Sequence, residues 1–332
     1  MAKGILIYAQ RDRQGQVLNV VLELACVAQK LDKKLNNCEI SAFLIGDDTK
    51  LEENKKILSQ NGFDKVYIAT AKDLKDYNTD YYSNIALNLI KEVEPEIVLI
   101  GATTQGRDLA PVISSTLNTG LTADCTELDI NEKGQLAATR PTFGGNLMAT
   151  ILCKNYPQMA TVRPKVLKKS DCKIEKDTQF IDIDVDLSNI EKRVELIDFK
   201  PNMQFTDTRI DEAEIIVAGG RGMKSAQGFE LLEELAKLLG GSVGASRGAV
   251  DMGLADSSIQ VGQTGKTVVP KIYIACGISG AIQHTVGMTS SDKIIAINKD
   301  KNAPIFKIAD IGIVGDVFEI LPKLIKKLKE RR

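Results

Sequence analysis

The 332-residue sequence has few of the side chains from which proteins build metal centres. It contains one histidine, His284, and six cysteines, and no two of these cysteines form a CxxC pair. Zinc sites and iron–sulfur clusters usually need paired thiolates at short spacing, so neither centre is expected. Cys26, Cys153 and Cys276 stand in apolar runs, which is typical of buried thiols that behave as small hydrophobic side chains. The cysteine pattern therefore favours a reduced, cytoplasmic protein.

The chain also lacks a strong net charge and a long apolar run. Its 43 Lys and Arg residues against 44 Asp and Glu residues give a net charge of −1, so no global field favours nucleic acid as a partner. No apolar stretch approaches the roughly 20 residues that a membrane span needs. The first residues, MAKGILIYAQ, are typical of a first strand and lack the layout of a signal peptide. A length of 332 residues suits two globular domains.

Short apolar strands alternate with amphipathic helices in the first half of the chain. Such alternation predicts a parallel sheet with helices on its faces. The predicted strands are Ile5–Tyr8, Ile40–Ile45, Val66–Ala69 and Ile97–Ile100. Short strands then follow one another without helices, which predicts an antiparallel extension. Its expected members are Leu128–Ile130, Leu136–Thr139, Thr150–Leu152, Met159–Val162 and Ile181–Val185.

A polar, charged stretch from Asn189 to Asp211 predicts a linker, and strands and helices alternate again beyond it. The predicted elements there are Glu214–Ala218, Ser225–Leu239, Lys271–Cys276, a helix starting near Ser279, Lys293–Asn298 and a final helix from about Gly315. The predicted fold class is therefore α/β, with two doubly wound, mostly parallel-sheet domains. The first, residues 1–200, has the antiparallel extension, and the second, residues 210–332, is smaller and Rossmann-like.

Small, hydroxylic and amide residues follow the predicted strands of the second domain. In an open parallel sheet, ligands collect at the carboxyl ends of the strands, where glycines let a phosphate approach the backbone. One arginine and the single histidine stand in the same segment, Arg247 to His284. This mixture suits a cofactor with phosphates at one end and a polar ring at the other, and favours a flavin dinucleotide. Glycines 253, 287 and 312 are expected to be turn residues.

Several motifs occur together in one order, and through them the chain resembles the electron transfer flavoprotein alpha subunits over essentially its whole length. Each motif is weak alone, because a glycine after a strand is usually a turn and a lone histidine is usually structural. The motifs of the second domain are Gly219-Gly220-Arg221-Gly222, Ser246-Arg247, Gln260 to Lys266 and Gly277 to His284. Those of the first are Gly106 to Pro111, Leu117 to Cys125 and Arg140 to Asn146.

The resemblance implies an FAD that is held mainly by the second domain, and a beta subunit that completes a heterodimer. It implies an electron carrier between flavoprotein dehydrogenases of the acyl-CoA dehydrogenase type and an acceptor. Bifurcation of electrons with NADH and ferredoxin through the beta subunit stays open. The residues expected to border the FAD are Arg221, Ser246, Arg247, Val261, Gly262, Gln263, Thr264, Ser279, Gly280, Ala281, Ile282, Gln283, His284, Asn298, Asp316 and Val317. Many relatives have alanine and leucine beside the aspartate that is Asp316 here, so contact by Val317 is the weakest of these expectations.

A flavin site of this kind predicts roles for four side chains. His284 is expected at the N1–C2=O edge of the flavin ring, Arg247 over or beside the ring, and Thr264 with Gln263 on the N5–C4=O side. A cation or donor at the N1–C2=O edge favours the reduced flavin, because reduction places negative charge there. No Ser–His–Asp set or carboxylate pair indicates substrate chemistry on this chain.

Two other readings of the sequence remain open. The segment Gly101 to Asp108 follows a predicted strand and could cradle a phosphate, but a helix cap and domain interface is the favoured interpretation. A purely structural scaffold explains the clustering of Arg, Gln, Thr and His poorly. The loops Arg140 to Asn146 and Arg163-Pro164 are expected at an interface or in packing, since proline and glycine first of all mark turns.

Overall fold

The computed structural model describes residues 4–35, 37–142, 147–166, 174–199, 210 and 213–330. Contacts between residues divide the chain into two compact units, Met1–Phe199 and Lys200–Arg332. Among the described residues, no helix is both long and apolar enough to cross a membrane.

The first unit contains ten strands and four helices in its described part. Its strands are β1 (Gly4–Tyr8), β2 (Glu39–Gly46), β3 (Lys65–Thr70), β4 (Ile97–Gly101), β5 (Leu121–Cys125), β6 (Glu127–Ile130), β7 (Leu136–Thr142), β8 (Leu147–Leu152), β9 (Gln158–Val162) and β10 (Gln179–Asp182). Its helices are α1 (Asn19–Asp32), α2 (Leu51–Ser59), α3 (Thr79–Val93) and α4 (Thr104–Thr116).

A seven-stranded sheet with the order β10-β3-β2-β1-β4-β9-β5 forms the centre of this unit, and all its pairings are parallel. The central strands are continuous apolar runs because helices cover both faces of the sheet. Every residue of β4 is buried. The prediction that β9 and β10 belong to the antiparallel extension is wrong. Both join the main sheet in parallel, β9 beside β4 and β10 beside β3.

The antiparallel extension itself is confirmed as a separate three-stranded sheet, β6-β7-β8. Strand β8 lies at its edge, and its residues Leu147, Met148, Ile151 and Leu152 are 40–58% exposed. An exposed apolar edge strand is unusual in a soluble unit, because its unpaired backbone groups can pair with another chain. This surface, called the β8 patch below, therefore indicates an interface.

The predicted linker, Asn189 to Asp211, lies partly outside the described residues. Its described beginning forms no helix or strand up to residue 199. Arg193 pairs with Asp80 through its guanidinium, and Asn78 Nδ2 donates to the Val194 carbonyl at 2.8 Å. These contacts hold the start of the segment against the N-terminus of α3.

The second unit contains five strands and four helices in its described part. Its strands are β11 (Ile215–Gly219), β12 (Ser242–Ala245), β13 (Ile272–Cys276), β14 (Lys293–Asn298) and β15 (Ile311–Val314). Its helices are α5 (Ala226–Leu239), α6 (Arg247–Asp251), α7 (Ile282–Thr285) and α8 (Val317–Glu330).

The sheet of the second unit has the order β12-β11-β13-β14-β15, and all its pairings are parallel. This order reverses direction between β11 and β13, which makes their carboxyl ends the topological switch point of a doubly wound sheet. Helix α5 starts as predicted, since Ser225 caps it by accepting from Gly228 N. Its apolar face buries Phe229, Leu232 and Leu235 in the core of this unit. The predicted α/β fold class is confirmed.

Two predictions about the second unit are wrong. Gly312 is a strand residue in β15 and not a turn residue, and the apolar strand Ile-Gly-Ile-Val around it is exposed. The helix expected from Ser279 is only the single turn α7, which begins at Ile282. A helix this short has no appreciable macrodipole, so its N-terminus gives no special support to an anion.

Candidate functional site

The loops after β11 and β13 lie backbone against backbone at the switch point. Gly220 N donates to Cys276 O at 2.9 Å, and Gly222 N donates to Gly277 O at 3.1 Å. A side-chain carbon at Gly220 would lie 2.2 Å from Gly277 O, and one at Gly222 would lie 2.7 Å from Gly277 Cα. Only glycine permits this approach, so these residues let the two loops pack against each other at the end of the sheet. We call Gly220, Gly222 and Gly277 the glycine cradle.

Two arginines lie beside the cradle. Ser246 N donates to Gly219 O at 2.9 Å, which fixes the start of α6 against the end of β11. A side-chain carbon at Gly248 would lie 3.0 Å from Arg221 Cδ, so the Arg221 stem packs on α6. The Arg247 side chain is 67% exposed and approaches Asp251 only to 3.6 Å. An exposed pair of this length adds little stability, so the Arg247 guanidinium can contact a ligand.

A tight turn places Gln263 and Thr264 at the same edge. Val261 N donates to Ala245 O at 2.8 Å, which continues β12, and Lys266 N donates to Gln260 O at 2.7 Å, which closes the turn. Gln260 Nε2 donates to Thr264 Oγ1 at 3.0 Å. Gln263 and Thr264 are exposed.

This turn is joined directly to the segment that carries α7. Gln263 N donates to Gln283 O at 2.7 Å. Gly262 has a φ of +139°, and a side-chain carbon there would lie 2.6 Å from Gln283 O. A side-chain carbon at Gly287 would in turn lie 2.5 Å from Gly262 N. Gly287 lies in a turn, as expected, and it also lets the two segments pack together.

The segment between β13 and α7 presents small and exposed residues. Ser279, Ala281, Ile282 and Gln283 are exposed, and Ile282 is 61% exposed although it is apolar. Gly280 has a φ of +87°, where a side-chain carbon would lie 2.2 Å from Ile305 N. Position 280 therefore requires glycine, both because φ is positive and because there is no room for a side chain.

His284 is buried behind this surface and contacts a tyrosine. Its ring is 6% exposed, and its Nε2 lies 3.0 Å from the Tyr273 hydroxyl. Nδ1 is buried and has no hydrogen bond of normal geometry with any described residue. A buried polar atom without a partner costs about 1–3 kcal/mol. The protein covers this atom completely, and the Val261 backbone interacts with the ring.

Burial also keeps the His284 ring neutral. Desolvation lowers its pKa from 6.5 to about 4, and the nearby Val261 backbone opposes this only in part. Burial raises the pKa of the Tyr273 hydroxyl well above its ordinary value, with a smaller contribution from Cys276. At neutral pH both groups are therefore uncharged, and His284 can offer a hydrogen bond but not a full positive charge.

On the adenosine side of the predicted site, the polar side chains form hydrogen bonds within the protein. Asn298 Nδ2 donates to Ile278 O at 2.9 Å, and its Oδ1 accepts from Asp300 N at 2.9 Å. Asp316 Oδ1 accepts from Phe318 N at 2.9 Å and so caps α8. Val317 is 5% exposed within the core, so its side chain has little surface left for a ligand.

The structure brings the predicted site residues together on one edge of one sheet. The last residues of the strands are in register there, as Gly219 pairs with Ala245 and Cys276, and Asn298 pairs with Val314. Gly315 N donates to Asn298 O at 3.0 Å, which joins the start of α8 to the same edge. The predicted residues thus lie on segments at this edge of the sheet, although Val261, His284 and Val317 are buried.

Sequence reasoning did not assign a role to Tyr273. A signal for Tyr273 was present, because it is the one hydroxyl side chain in the otherwise aliphatic strand Ile272–Cys276. A buried phenol needs a hydrogen-bond partner, and the single histidine follows eleven positions later.

The alternative phosphate cradle after β4 is occupied by its own side chains. Thr103 Oγ1 accepts from Gly106 N at 3.0 Å and so caps α4. Thr103 Oγ1 also donates to Gln10 Oε1 at 2.6 Å, and Gln105 Nε2 donates to the Tyr8 hydroxyl at 2.6 Å. These hydrogen bonds favour the helix-cap reading of this segment.

The second unit fits a flavin dinucleotide. The glycine cradle packs the loops after β11 and β13 together, and Arg221 and Arg247 beside it can supply positive charge to a diphosphate. The exposed side chains of Gln263, Thr264 and Gln283 can form hydrogen bonds with a polar ring. The fold and this chemistry define the class: a two-domain α/β protein whose second unit suits a dinucleotide cofactor.

Comparison with known proteins gives the family. Residues 5–188 match the model of the electron transfer flavoprotein domain, and residues 209–289 match that of the electron transfer flavoprotein FAD-binding domain. The chain belongs to the electron transfer flavoprotein family, among its alpha subunits, which confirms the resemblance and the FAD cofactor. Alpha subunits of this family carry electrons and pair with a beta subunit.

Full-length relatives agree with this assignment. The chain is 50% identical to the electron transfer flavoprotein subunit alpha of Thermoanaerobacterium thermosaccharolyticum, covering 99% of this chain and 98% of the relative. It is also 50% identical to the protein FixB of Clostridium saccharobutylicum, with 99% and 97% covered. It is 42% identical to the acryloyl-CoA reductase electron transfer subunit beta of Anaerotignum propionicum, with 99% and 96% covered.

Proposed function

We propose that this chain holds FAD on the switch-point edge of its second unit and passes electrons from a flavoprotein dehydrogenase to an acceptor. The observation that carries the proposal is the exposed Arg247 at the start of α6, with Ser246 N held to Gly219 O next to the glycine cradle. FAD supplies a ring that accepts electrons singly or in pairs. The described residues contain no cluster of three or more His, Cys, Asp or Glu side chains that could hold a metal.

The site residues then divide by role. Residues 210–332 form the FAD-binding domain in this proposal. Arg221, Ser246 and Ser279 serve the diphosphate, Asn298 and Asp316 serve the adenosine, and Arg247, Gln263, Thr264 and His284 serve the ring. Asn298 and Asp316 already make hydrogen bonds within the protein. Their contacts with the ribose are therefore secondary.

Residues 1–200 form the partner-contacting domain, and the β8 patch is the docking face for the beta subunit. Support comes from the exposure of Leu147, Met148, Ile151 and Leu152 on an edge strand whose apolar surface no described residue covers. A heterodimer needs such a surface, because stable association buries apolar side chains in a central patch.

The electron donor we propose is a dehydrogenase of the acyl-CoA dehydrogenase type. The name of the Anaerotignum propionicum relative supports this, because that protein is the electron transfer subunit of an acryloyl-CoA reductase. We further place the protein in the cytoplasm. Cys38, Cys125, Cys153 and Cys276 carry thiols that are not in disulfides, as a reducing compartment requires.

Electron bifurcation with NADH and ferredoxin would depend on the beta subunit. At the switch point between β1 and β4 in the first unit, four polar side chains form hydrogen bonds with one another. They are Tyr8, Gln10, Thr103 and Gln105. The carrier role is therefore the function that this chain supports best. Counting flavins per heterodimer, and assaying ferredoxin reduction by NADH, separates the two modes.

The proposal is tested by mixing the purified heterodimer anaerobically with a substrate-reduced acyl-CoA dehydrogenase. Bleaching of the visible flavin absorption of the heterodimer, at a rate that rises with dehydrogenase concentration, is expected. A yellow heterodimer that is never bleached would leave the FAD site standing and refute the donor.

A further inference from the structure

The exposed hydroxyl of Thr264 is held by a glutamine that lies behind it. Gln260 is 9% exposed, and its Nε2 donates to Thr264 Oγ1 at 3.0 Å. Thr264 itself is exposed. A buried amide therefore contacts a hydroxyl that can face a ligand.

The backbone and the stem of Gln260 are both held in place. Lys266 N donates to Gln260 O at 2.7 Å, and Gln260 N donates to Ser257 O at 3.1 Å. A side-chain carbon at Gly265 would lie 3.0 Å from Gln260 Cγ, so the bare backbone of Gly265 packs on the glutamine stem. Because the stem is packed in this way, the amide keeps its place beside Thr264.

The amide determines the direction in which the Thr264 hydroxyl donates. A hydroxyl offers one proton and two lone pairs, and the Gln260 N–H occupies one of the lone pairs. The hydroxyl proton cannot point at the same N–H, so it turns to another acceptor. Among the described residues, Thr264 Oγ1 has no hydrogen bond other than the one from Gln260. The proton is therefore left to donate toward the exposed side of the turn.

We propose that Gln260 is a positioning residue that presets the Thr264 hydroxyl as a hydrogen-bond donor to the flavin ring. This inference rests on the proposed function, because the acceptor is the ring of the proposed FAD. The backbone keeps the donor at the site, since Gln263 N donates to Gln283 O at 2.7 Å and so joins this turn to the segment that contains α7. Gln260 itself stays buried and acts on the ring only through Thr264.

A preset donor affects how readily the ring gains its first electron. That electron adds negative charge to the acceptor atoms of the ring, and a donor at one of them stabilises the added charge. One neutral hydrogen bond changes an equilibrium constant about fivefold. Losing the preset hydroxyl should therefore weaken the uptake of the first electron about fivefold and make its potential more negative. A loss of folding stability alone does not predict such a shift.

The test is a redox titration of the FAD-loaded heterodimer in a double-mutant cycle. Gln260→Met removes the amide with little change in volume, and Thr264→Val removes the hydroxyl. Both are measured alone and together, because a residue that acts through another has no effect once the other is gone. Gln10→Met is the matched control, since Gln10 is 6% exposed and accepts from the Thr103 hydroxyl at 2.6 Å in the first unit.

We expect Gln260→Met to shift the first-electron potential to a more negative value, and Gln10→Met to leave it unchanged. The shift should persist with Thr264→Ser, which keeps a hydroxyl, and disappear with Thr264→Val. An equal shift in the Thr264→Val background would overturn the inference, since Gln260 would then act without the hydroxyl. A shift to a less negative potential would also overturn it, because the hydroxyl would then donate to Gln260 in the wild type.

A second variant covers the case in which Gln260→Met loses FAD. Gln260→Asn then takes its place, because its shorter side chain withdraws the amide from Thr264 without making the position apolar. An unchanged potential in whichever variant retains FAD would refute the inference. A wild-type heterodimer that binds no FAD would instead refute the proposed function.

Discussion

The Tyr273 hydroxyl lies 3.0 Å from Nε2 of His284, and both side chains are buried in the second unit. This contact joins the core strand β13 to the surface segment that contains α7. The polar edge of the site is therefore held by the core of the domain and not by loop residues alone. Rigid support of this kind favours a fixed ring environment and a fixed potential.

Replacing Arg247 by alanine should make the flavin potential more negative. One charge-assisted contact contributes about 1.5–3 kcal/mol, and about 1.4 kcal/mol corresponds to 30 mV for a two-electron couple. A shift of tens of millivolts is expected in a redox titration. Arg247→Lys, which keeps the charge, serves as the control, and an unchanged potential at full FAD occupancy in Arg247→Ala would refute the assignment.

Adding a methyl group to the glycine cradle should weaken FAD binding. In Gly220→Ala the new carbon would lie 2.2 Å from Gly277 O, so the loops after β11 and β13 must separate. Overpacking of this kind costs about 1–3 kcal/mol. Gly253→Ala is the control, because Gly253 has a positive φ but no atom within 4 Å of the added carbon. Equal FAD retention by both variants would contradict the role of the cradle.

Acid should destabilise the protein through His284. Its pKa is lowered from 6.5 to about 4 by burial, so below 6.5 the unfolded chain binds a proton that the folded chain does not. The contribution of the neutral His284 ring to the free energy of unfolding amounts to about 3 kcal/mol. It is fully present above pH 6.5 and is lost as the pH falls to about 4. Denaturant unfolding of the wild type and His284→Gln over this range measures it. The slopes of stability against pH should differ, and parallel slopes would be inconsistent with a buried neutral ring.

A charge on the β8 patch should weaken association with the beta subunit. Met148 is 54% exposed on the edge strand, and Met148→Glu would bury a carboxylate in an apolar interface. A loss of at least about tenfold in affinity is expected, which corresponds to about 1.4 kcal/mol. Asn88→Glu adds the same charge to an exposed position of α3. If titration calorimetry gives both variants the wild-type affinity, the beta subunit docks elsewhere.

Much of the fold follows from local pattern. Buried parallel strands such as β4 and β13 read as short apolar runs, and Ser225 marks the start of α5. The pattern could not show that β9 and β10 are parallel, because the strands they pair with are distant in sequence. Strand β15 was missed although its sequence, Ile-Gly-Ile-Val, is apolar, because it is only four residues long and its glycine is more typical of a turn.

The sequence predicted the residues of the candidate site but not the hydrogen bonds that hold them in place. Glycine, arginine and amide residues after the strands indicated the edge of the sheet, since parallel strands end on one side. The pairing of Tyr273 with His284 depends on the approach of α7 to β13 in space, which no spacing rule contains. The internal bonds of Asn298 and Asp316 likewise became visible only in the folded chain.

The central claim is that the second unit holds an FAD that is reduced by a flavoprotein dehydrogenase. Its most direct test is the visible absorption spectrum of the purified heterodimer before and after anaerobic mixing with substrate-reduced acyl-CoA dehydrogenase. We predict a flavin spectrum that bleaches on mixing. A heterodimer that has no flavin absorption, even after incubation with excess FAD, would contradict the claim.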